Sequence, residues 1–463
     1  MPLSSLRQIT TQLATRANAI DLTDEATRSE RLTSKVRYAA LALYLGDPSL
    51  VAPMLQLGPD PTERTAFTLR LKDWPADLSA VREVLKTTTD ESLRSGVVAA
   101  IGRFPKETIA EFDALSSVLQ ELFVTAPDGG SHSASDWTLR QWGVPLPDLK
   151  SEISNLKSQI SDFKSEQLRP DVQRWYTNSV GMTFVEIPAG KHQLVSLEYK
   201  ENKTEENPYE VELTRPVYLS NRELTVAQFL AFASDPNTPA NQKPQQWGPE
   251  WEQSRKGVSP ENDCPMQTIN WFDSVLYCNW LSRKEGSTPC YTTTGKKMKM
   301  KDVQNRDVEV DEWLCDFTAN GYRLPTDAEW EVSCRAGTTT AWSCGQDDVE
   351  LREFAVFNVN SRNRTSVSGT KLPNGWGLFD THGNVYEWCH DWYGQTVPSG
   401  LEPQGPQSGS PRVLRGGSWL NPAESATSAN RDGYTPDYRS GNYGIRLAQV
   451  PGAEKKKEKG AQE

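Results

Sequence analysis

Along the first 148 residues apolar side chains return every three or four positions, and each run halts at Gly, Pro or Asp. The segments 32–57, 61–85, 90–105 and 112–128 all follow this rule, which predicts short helices facing a common core. Residues 149–170 carry a narrower stripe: Ile153, Leu156, Ile160 and Phe163 stand three, four and three apart among Lys and Glu. That spacing predicts one amphipathic linker helix, lying on its own domain or pairing as a short dimerising coil. Beyond Pro170 the helical period ends. Met182 to Ser196 reads as strand, Pro-Ala-Gly turn, strand. Three later helices are announced by a polar residue followed three places on by Gln, Asp or Glu: Thr225 with Gln228, Asn270 with Asp273, and Thr326 with Glu329. The first is expected to run through Phe232, the second to close at Gly286 and the third at Gly337. Elsewhere short apolar runs are broken by Gly, Asn, Pro and Asp, the pattern of close-packed loops and short strands.

Composition divides the chain at the same place. Of the 15 tryptophans, 12 lie beyond Pro170, as do all 7 cysteines. The organisation expected is therefore a helical domain over 1–148, a linker helix over 149–170, an aromatic, loop-rich domain over 171–450 and a mixed-charge, disordered tail over 451–463. Comparable Arg/Ala positions recur at roughly thirty-residue spacing in the first domain (Arg37 to Ala40, Arg64 to Ala66, Arg94 to Ala99) and resemble a short HEAT-type solenoid of stacked helix pairs. With one histidine, His132, and no cysteine, this region carries no catalytic constellation. It is expected to offer a surface to a protein partner, or to act as a spacer.

Charge and cysteine usage narrow the classes further. Against 50 Lys and Arg stand 61 Asp and Glu, a net charge of −11 that argues against non-specific nucleic-acid binding. Neither a long apolar run nor a signal-like apolar segment near Met1 is visible, so no membrane association and a cytoplasmic location are expected. In that compartment the odd set of seven cysteines is expected to be reduced and buried.

The blocks VEIPAGKHQL, RELTVAQFLAFA, INWFDSVLYCNWLSRKEGSTPCY, GYRLPTDAEWEVSCRAGTTT, NGWGLFDTHGNVYEWCHDWYG, RVLRGGSW and NYGIRLA, in that order, resemble the formylglycine-generating enzyme family, or sulfatase-modifying factors, over residues 175–450. The resemblance implies an α+β chain: a C-terminal C-type-lectin-like domain, a small twisted antiparallel core within long ordered loops, preceded by an all-α helical-repeat domain. Active members oxidise a sulfatase cysteine to formylglycine with oxygen and with copper(I) held by two cysteines shortly after the GGS block.

Here Arg415 to Trp419 keep that block, but Asn421 stands where the first copper cysteine is expected, and Pro422 to Ala426 supply no second. No cysteine occurs after His390, so no shift of register restores the pair, and copper is expected to be absent. Relatives that oxidise thiols with non-haem iron need clustered histidines, which His132, His192, His382 and His390 do not provide. By resemblance GNVYEW is a calcium loop with Asn384 and Glu387 as side-chain ligands; the other reading is that Asn384 makes a turn and Glu387 pairs with an arginine. Ser418, Trp419, Asn421, Arg431, Tyr434, Asp437 and Tyr438 lie where active members bind a peptide and are the candidate ligand contacts, while Arg415 and Arg446 are expected to be structural. The reading that follows is a non-oxidising recognition module for a peptide or protein ligand, and the alternative is a sulfatase-modifying or other thiol-oxidising enzyme. Helical repeats before such a domain also resemble the C-terminal parts of longer proteins, some beginning with a kinase, but no Gly-rich loop, HRD and DFG occur in order.

Overall fold

The computed structural model describes residues 3–24, 26–149, 173–200, 203–244, 249–302 and 304–450. Apart from Leu149, the expected linker helix lies outside the described residues, as does the tail from 451. The N-terminal region is built of α1 (Leu3–Asn18), α2 (Arg28–Tyr44), α3 (Val51–Leu55), α4 (Thr62–Arg70), α5 (Ser79–Thr87), α6 (Glu91–Ile101), α7 (Phe112–Thr125) and α8 (Gly129–Gln141). Asp90 caps α6 by accepting from the Leu93 amide at 3.0 Å, and Asp128 caps α8 through Ser131 at 2.6 Å. The predicted apolar stripes meet in one core around Val36, Leu43, Phe67, Val97 and Leu119.

Helix α8, GGSHSASDWTLRQ, has no apolar stripe to announce it, yet every residue from Gly129 to Leu139 is buried. It is the seam between the two regions. A Cβ on Gly129 would lie 2.6 Å from the Val185 side chain, and one on Gly130 would lie 2.8 Å from the Gly375 carbonyl. Only glycine permits backbones this close. Asp136 accepts from Arg222 across the seam and from Arg140 Nε at 2.7 Å, while the Trp137 indole donates to the Thr370 carbonyl at 3.2 Å. His132 is stacked between Phe123 and Trp175, with ring centroids 4.6 and 3.6 Å away, and Nδ1 donates to the Phe123 carbonyl. Burial holds its pKa down at about 4, so the ring is neutral at physiological pH.

The C-terminal region contains strands β1 (Trp175–Thr177), β2 (Thr183–Ile187), β3 (Gly190–Lys200), β4 (Lys203–Leu213), β5 (Val217–Ser220), β6 (Tyr291–Lys301), β7 (Asp307–Cys315), β8 (Tyr322–Arg323), β9 (Tyr386–Trp392), β10 (Gly400–Leu401), β11 (Arg412–Arg415), β12 (Arg431–Tyr434), β13 (Tyr443–Gly444) and β14 (Ala448–Gln449). They form sheets in the orders β1-β2-β5-β14-β8, β10-β4-β3 and β12-β11-β9-β13, with β6 and β7 as a separate hairpin. Between them lie α9 (Val226–Ala233), α10 (Pro249–Val258), α11 (Trp271–Lys284), α12 (Asp327–Arg335) and α13 (Asp348–Leu351). Helices α9, α11 and α12 each begin at one of the three expected capping boxes, with both reciprocal bonds formed. Long loops packed on aromatic side chains such as Trp271, Trp330 and Trp388 fill the remainder. In the four-stranded sheet Glu387 of β9 faces Arg415 of β11 and Gly444 of β13, which brings both ends of the 412–448 stretch to one residue.

Candidate ligand-binding site

After β11 the chain turns on Gly416 and Gly417, at φ +91° and +72°, because a Cβ on Gly417 would press within 2.8 Å of the Ser425 carbonyl. Ser418, fully buried, donates to the Asn421 side chain, and the Asn421 amide returns a bond to the Ser418 carbonyl at 3.1 Å. Ala426 ends a short 3₁₀ turn and is fully buried. These are the positions at which the resemblance places copper thiolates. Neither has sulfur, and both are absorbed into the packing of the loop. The Cys334 thiol approaches this loop, 3.6 Å from Ser428 Oγ and 3.8 Å from either ring nitrogen of His382, but burial pushes its pKa up to about 11. A single protonated thiol does not fit copper(I), which calls for a pair of thiolates. All seven thiols are free, six of them buried. No group of three or more His, Cys, Asp or Glu suited to a metal ion occurs among the described residues.

Glu387 lies at the bottom of a buried ion network. Its carboxylate accepts from Arg446 Nε at 2.6 Å and Nη2 at 2.7 Å, and from the Trp330 indole at 2.6 Å. Arg446 donates besides to the Ser220 and Phe379 carbonyls, at 3.1 and 2.9 Å. Asn384, at φ +61°, accepts from the Ser366 amide at 3.0 Å and donates to Glu223 at 2.8 Å. The Asn384 and Glu387 side chains are thus committed to protein partners, and a calcium ion at GNVYEW would have to displace Arg446 from Glu387. As arranged, the donor set fits the arginine rather than a divalent cation. Burial, reinforced by Asp380 and Glu387, raises the Glu223 carboxyl well above its usual range; Asp380 is pushed up to about 6, chiefly by burial. One Asp380 oxygen, Oδ1, is buried without a hydrogen-bond partner. Neither acid carries a sequence signal, since each becomes part of the site only through contacts with segments distant in the chain.

Arg415 and Arg431 share Asp327 of α12, through bonds of 2.5 Å from Arg415 Nε and 2.8 Å from Arg431 Nε. Arg415 also reaches Glu331 at 2.8 Å and the Ser428 and Asn430 carbonyls. The Arg431 side chain is only 7% exposed, so this candidate contact points inward. The others divide. Ser418 and Asn421 bind each other, and Trp419, half-buried, ties its indole to the Gly441 carbonyl at 3.1 Å. Tyr434, at the end of the edge strand β12, is 37% exposed and stacks on half-buried Tyr438 with centroids 5.1 Å apart. Tyr443 backs both rings at 5.5 and 5.7 Å. Thr435 Oγ1 and Asp437 Oδ1, between the two stacked tyrosines in sequence, are buried atoms with no hydrogen-bond partner. The structure therefore stacks Tyr434 and Tyr438 on one aromatic face, buries the Asp437 Oδ1 atom, and sends Arg431 and Ser418 into the framework.

Residues 172–451 match the family profile described as a sulfatase-modifying factor enzyme 1-like domain. A serine/threonine-protein kinase, pkn1, of Chlamydia pneumoniae is 37% identical over 144 residues, 30% of this chain and 22% of that protein. The chain thus spans about a fifth of the length of the chlamydial kinases it matches. The formylglycine-generating enzyme of Thermomonospora curvata is 24% identical over 308 residues, 61% of this chain and 98% of that enzyme. Among solved structures, Treponema denticola variable protein 1 is 29% identical, with a TM-score of 0.47 over 60% of this chain and 99% of that one. Matching blocks in order and a profile covering more than half of the chain agree: this protein belongs to the sulfatase-modifying factor, or formylglycine-generating enzyme-like, family.

Proposed function

We propose that the chain is a non-oxidising member of its family, a recognition module that binds a peptide or protein segment on the face made by Tyr434 and Tyr438, with the helical region as its platform. The observation that carries this reading is the pair Asn421 and Ala426. Both stand where copper would need thiolates, and both are built into the loop by hydrogen bonding and burial. Stacked tyrosines give large contact area for little side-chain entropy, and Tyr434 is exposed to receive a ligand. Tyr434 lies on an edge strand, where an extended segment can run alongside the sheet. No cofactor is required for this role.

The competing reading is a thiol-oxidising enzyme. Incubating the purified protein with copper, oxygen and a CxPxR-type peptide, then weighing the peptide, separates the two. Unchanged peptide mass is expected. Loss of mass at the peptide cysteine would establish the enzyme and end the recognition-only reading.

A further inference from the structure

Where the turn after α6 and the end of α8 meet the C-terminal region, a cleft of about 690 Å³ opens between them. Its walls carry Lys72, Arg103, Lys106, Arg140 and Lys371 against only two carboxylates, Glu107 and Glu353. In a chain of net charge −11 this concentration of cations runs against the general balance. The internal pairings do not cancel it. Glu353 accepts from Arg103 at 2.9 Å, leaving Arg103 Nε buried without a partner. Arg140 leans on Asp136, which Arg222 also occupies. Lys106 Nζ donates to the Trp142 carbonyl at 3.0 Å, and Lys371 to the Arg352 carbonyl, so each ammonium is placed by a neutral partner. Burial pulls the Lys371 pKa below its ordinary value although Glu353 opposes this.

We infer that this cleft is a docking site for a short acidic peptide segment of a partner protein, seated across both regions of the chain. The cations come from separate elements, Lys72 after α4, Arg103 after α6, Arg140 on α8 and Lys371 in the C-terminal region, which suits several carboxylates spaced along a chain better than a single anion. Three of the five are lysines, flexible point charges that accept varied carboxylate positions, and the two arginines offer planar forks that suit carboxylates. The volume falls within the roughly 300–1,000 Å³ typical of ligand clefts. A long nucleic-acid polyanion is disfavoured by the acidic remainder of the surface. The site gives the proposed platform a ligand chemistry of its own and does not involve the tyrosine face.

The test uses the full chain and a fluorescein-labelled Glu/Asp-rich decapeptide followed by fluorescence anisotropy at low ionic strength. Saturable binding is expected, with affinity falling about tenfold in a Lys72→Glu/Lys106→Glu variant, because charge complementarity supplies the attraction. A Lys296→Glu/Lys299→Glu variant on the exposed hairpin strand β6 makes the same change in net charge and is expected to bind as the parent does. Circular dichroism and thermal melting verify that both variants are folded. Equal weakening by the two variants, or absence of binding by the parent, overturns the proposal. So does displacement at lower concentration by an oligonucleotide of matched charge, or by phosphate more strongly than by chloride at equal ionic strength. Tyr434→Ala is expected to leave this affinity unchanged, so failure here and failure of the recognition reading are told apart.

Discussion

At Arg446 a guanidinium lies in the interior, divided between the Glu387 carboxylate and two backbone carbonyls, whereas a short way earlier in the chain Tyr434 stands 37% exposed beside two buried oxygens that have no partner. Both belong to the stretch that would hold the oxidation chemistry of an active relative. The difference teaches which part of that stretch is held by the fold alone. A buried charge network persists only when every member is paired, so Arg415, Arg446, Asp327 and Glu387 are tied to framework duties whatever the protein binds. The tyrosine face carries no such constraint: Tyr434 is held by ring stacking and not by a charge network, and its exposed ring is where a ligand can contribute.

The largest expected effect comes from breaking the paired end. Arg446→Gln leaves Glu387 without its cation, close to Glu223 and Asp380, and is expected to cost about 3–5 kcal/mol in urea denaturation. A loss as small as that of a surface substitution would mean that the network does not anchor this end of the stretch.

A second effect is a dependence on pH, modest over any single pH unit. Asp391 accepts from the Asp327 amide at 2.8 Å, and burial, with Asp327 nearby, pushes its pKa up to about 8. The folded state therefore binds this proton more tightly than the unfolded chain does. The contribution to stability is fullest below the unfolded value of 3.8 and is lost as pH rises towards 8. Asp391→Asn is expected to remove a slope of about 1.4 kcal/mol per pH unit within that window, and so to gain on the parent under alkaline conditions. Parallel stability curves for the two proteins would refute it.

On the open side, Tyr434→Ala is expected to cost only about 1 kcal/mol of stability, the worth of the lost ring stacking. The same change should weaken a ligand of the tyrosine face by about tenfold or more, as measured by calorimetry once a binding peptide has been selected. A destabilisation comparable with that of Arg446→Gln would make the face part of the core and remove the contrast. The smallest effect concerns calcium: because Arg446 already supplies Glu387 with a positive charge, excess calcium and EGTA are expected to give melting temperatures within about 1 °C of each other. A rise of several degrees with calcium would show that Glu387 exchanges the arginine for the ion.

Elements that advertise themselves locally are legible in the sequence. Thr225, Asn270 and Thr326 announce their helices because a capping box is complete within four residues. Helix α8 is not legible, because its small polar residues are selected for close contact on several sides, and no single apolar stripe results. At the site, the missing thiols can be read directly from Asn421 and Ala426. The inward turn of Arg431 cannot, since its partner Asp327 lies 104 positions away and nothing in the local pattern connects them. Glu223, Asp380 and Asp391 are likewise silent in the sequence: a carboxyl becomes unusual only when the fold removes its water.

The contact of Gly129 with Val185, and the stacking of His132 on Trp175, bear on how the molecule can be taken apart. A cut at the start of the family domain would pull an indole off an imidazole and strip a helix from β2, leaving an apolar wound on each half. Heating should therefore melt the two regions in a single step, and the family boundary at residue 172 is a poor place for scissors.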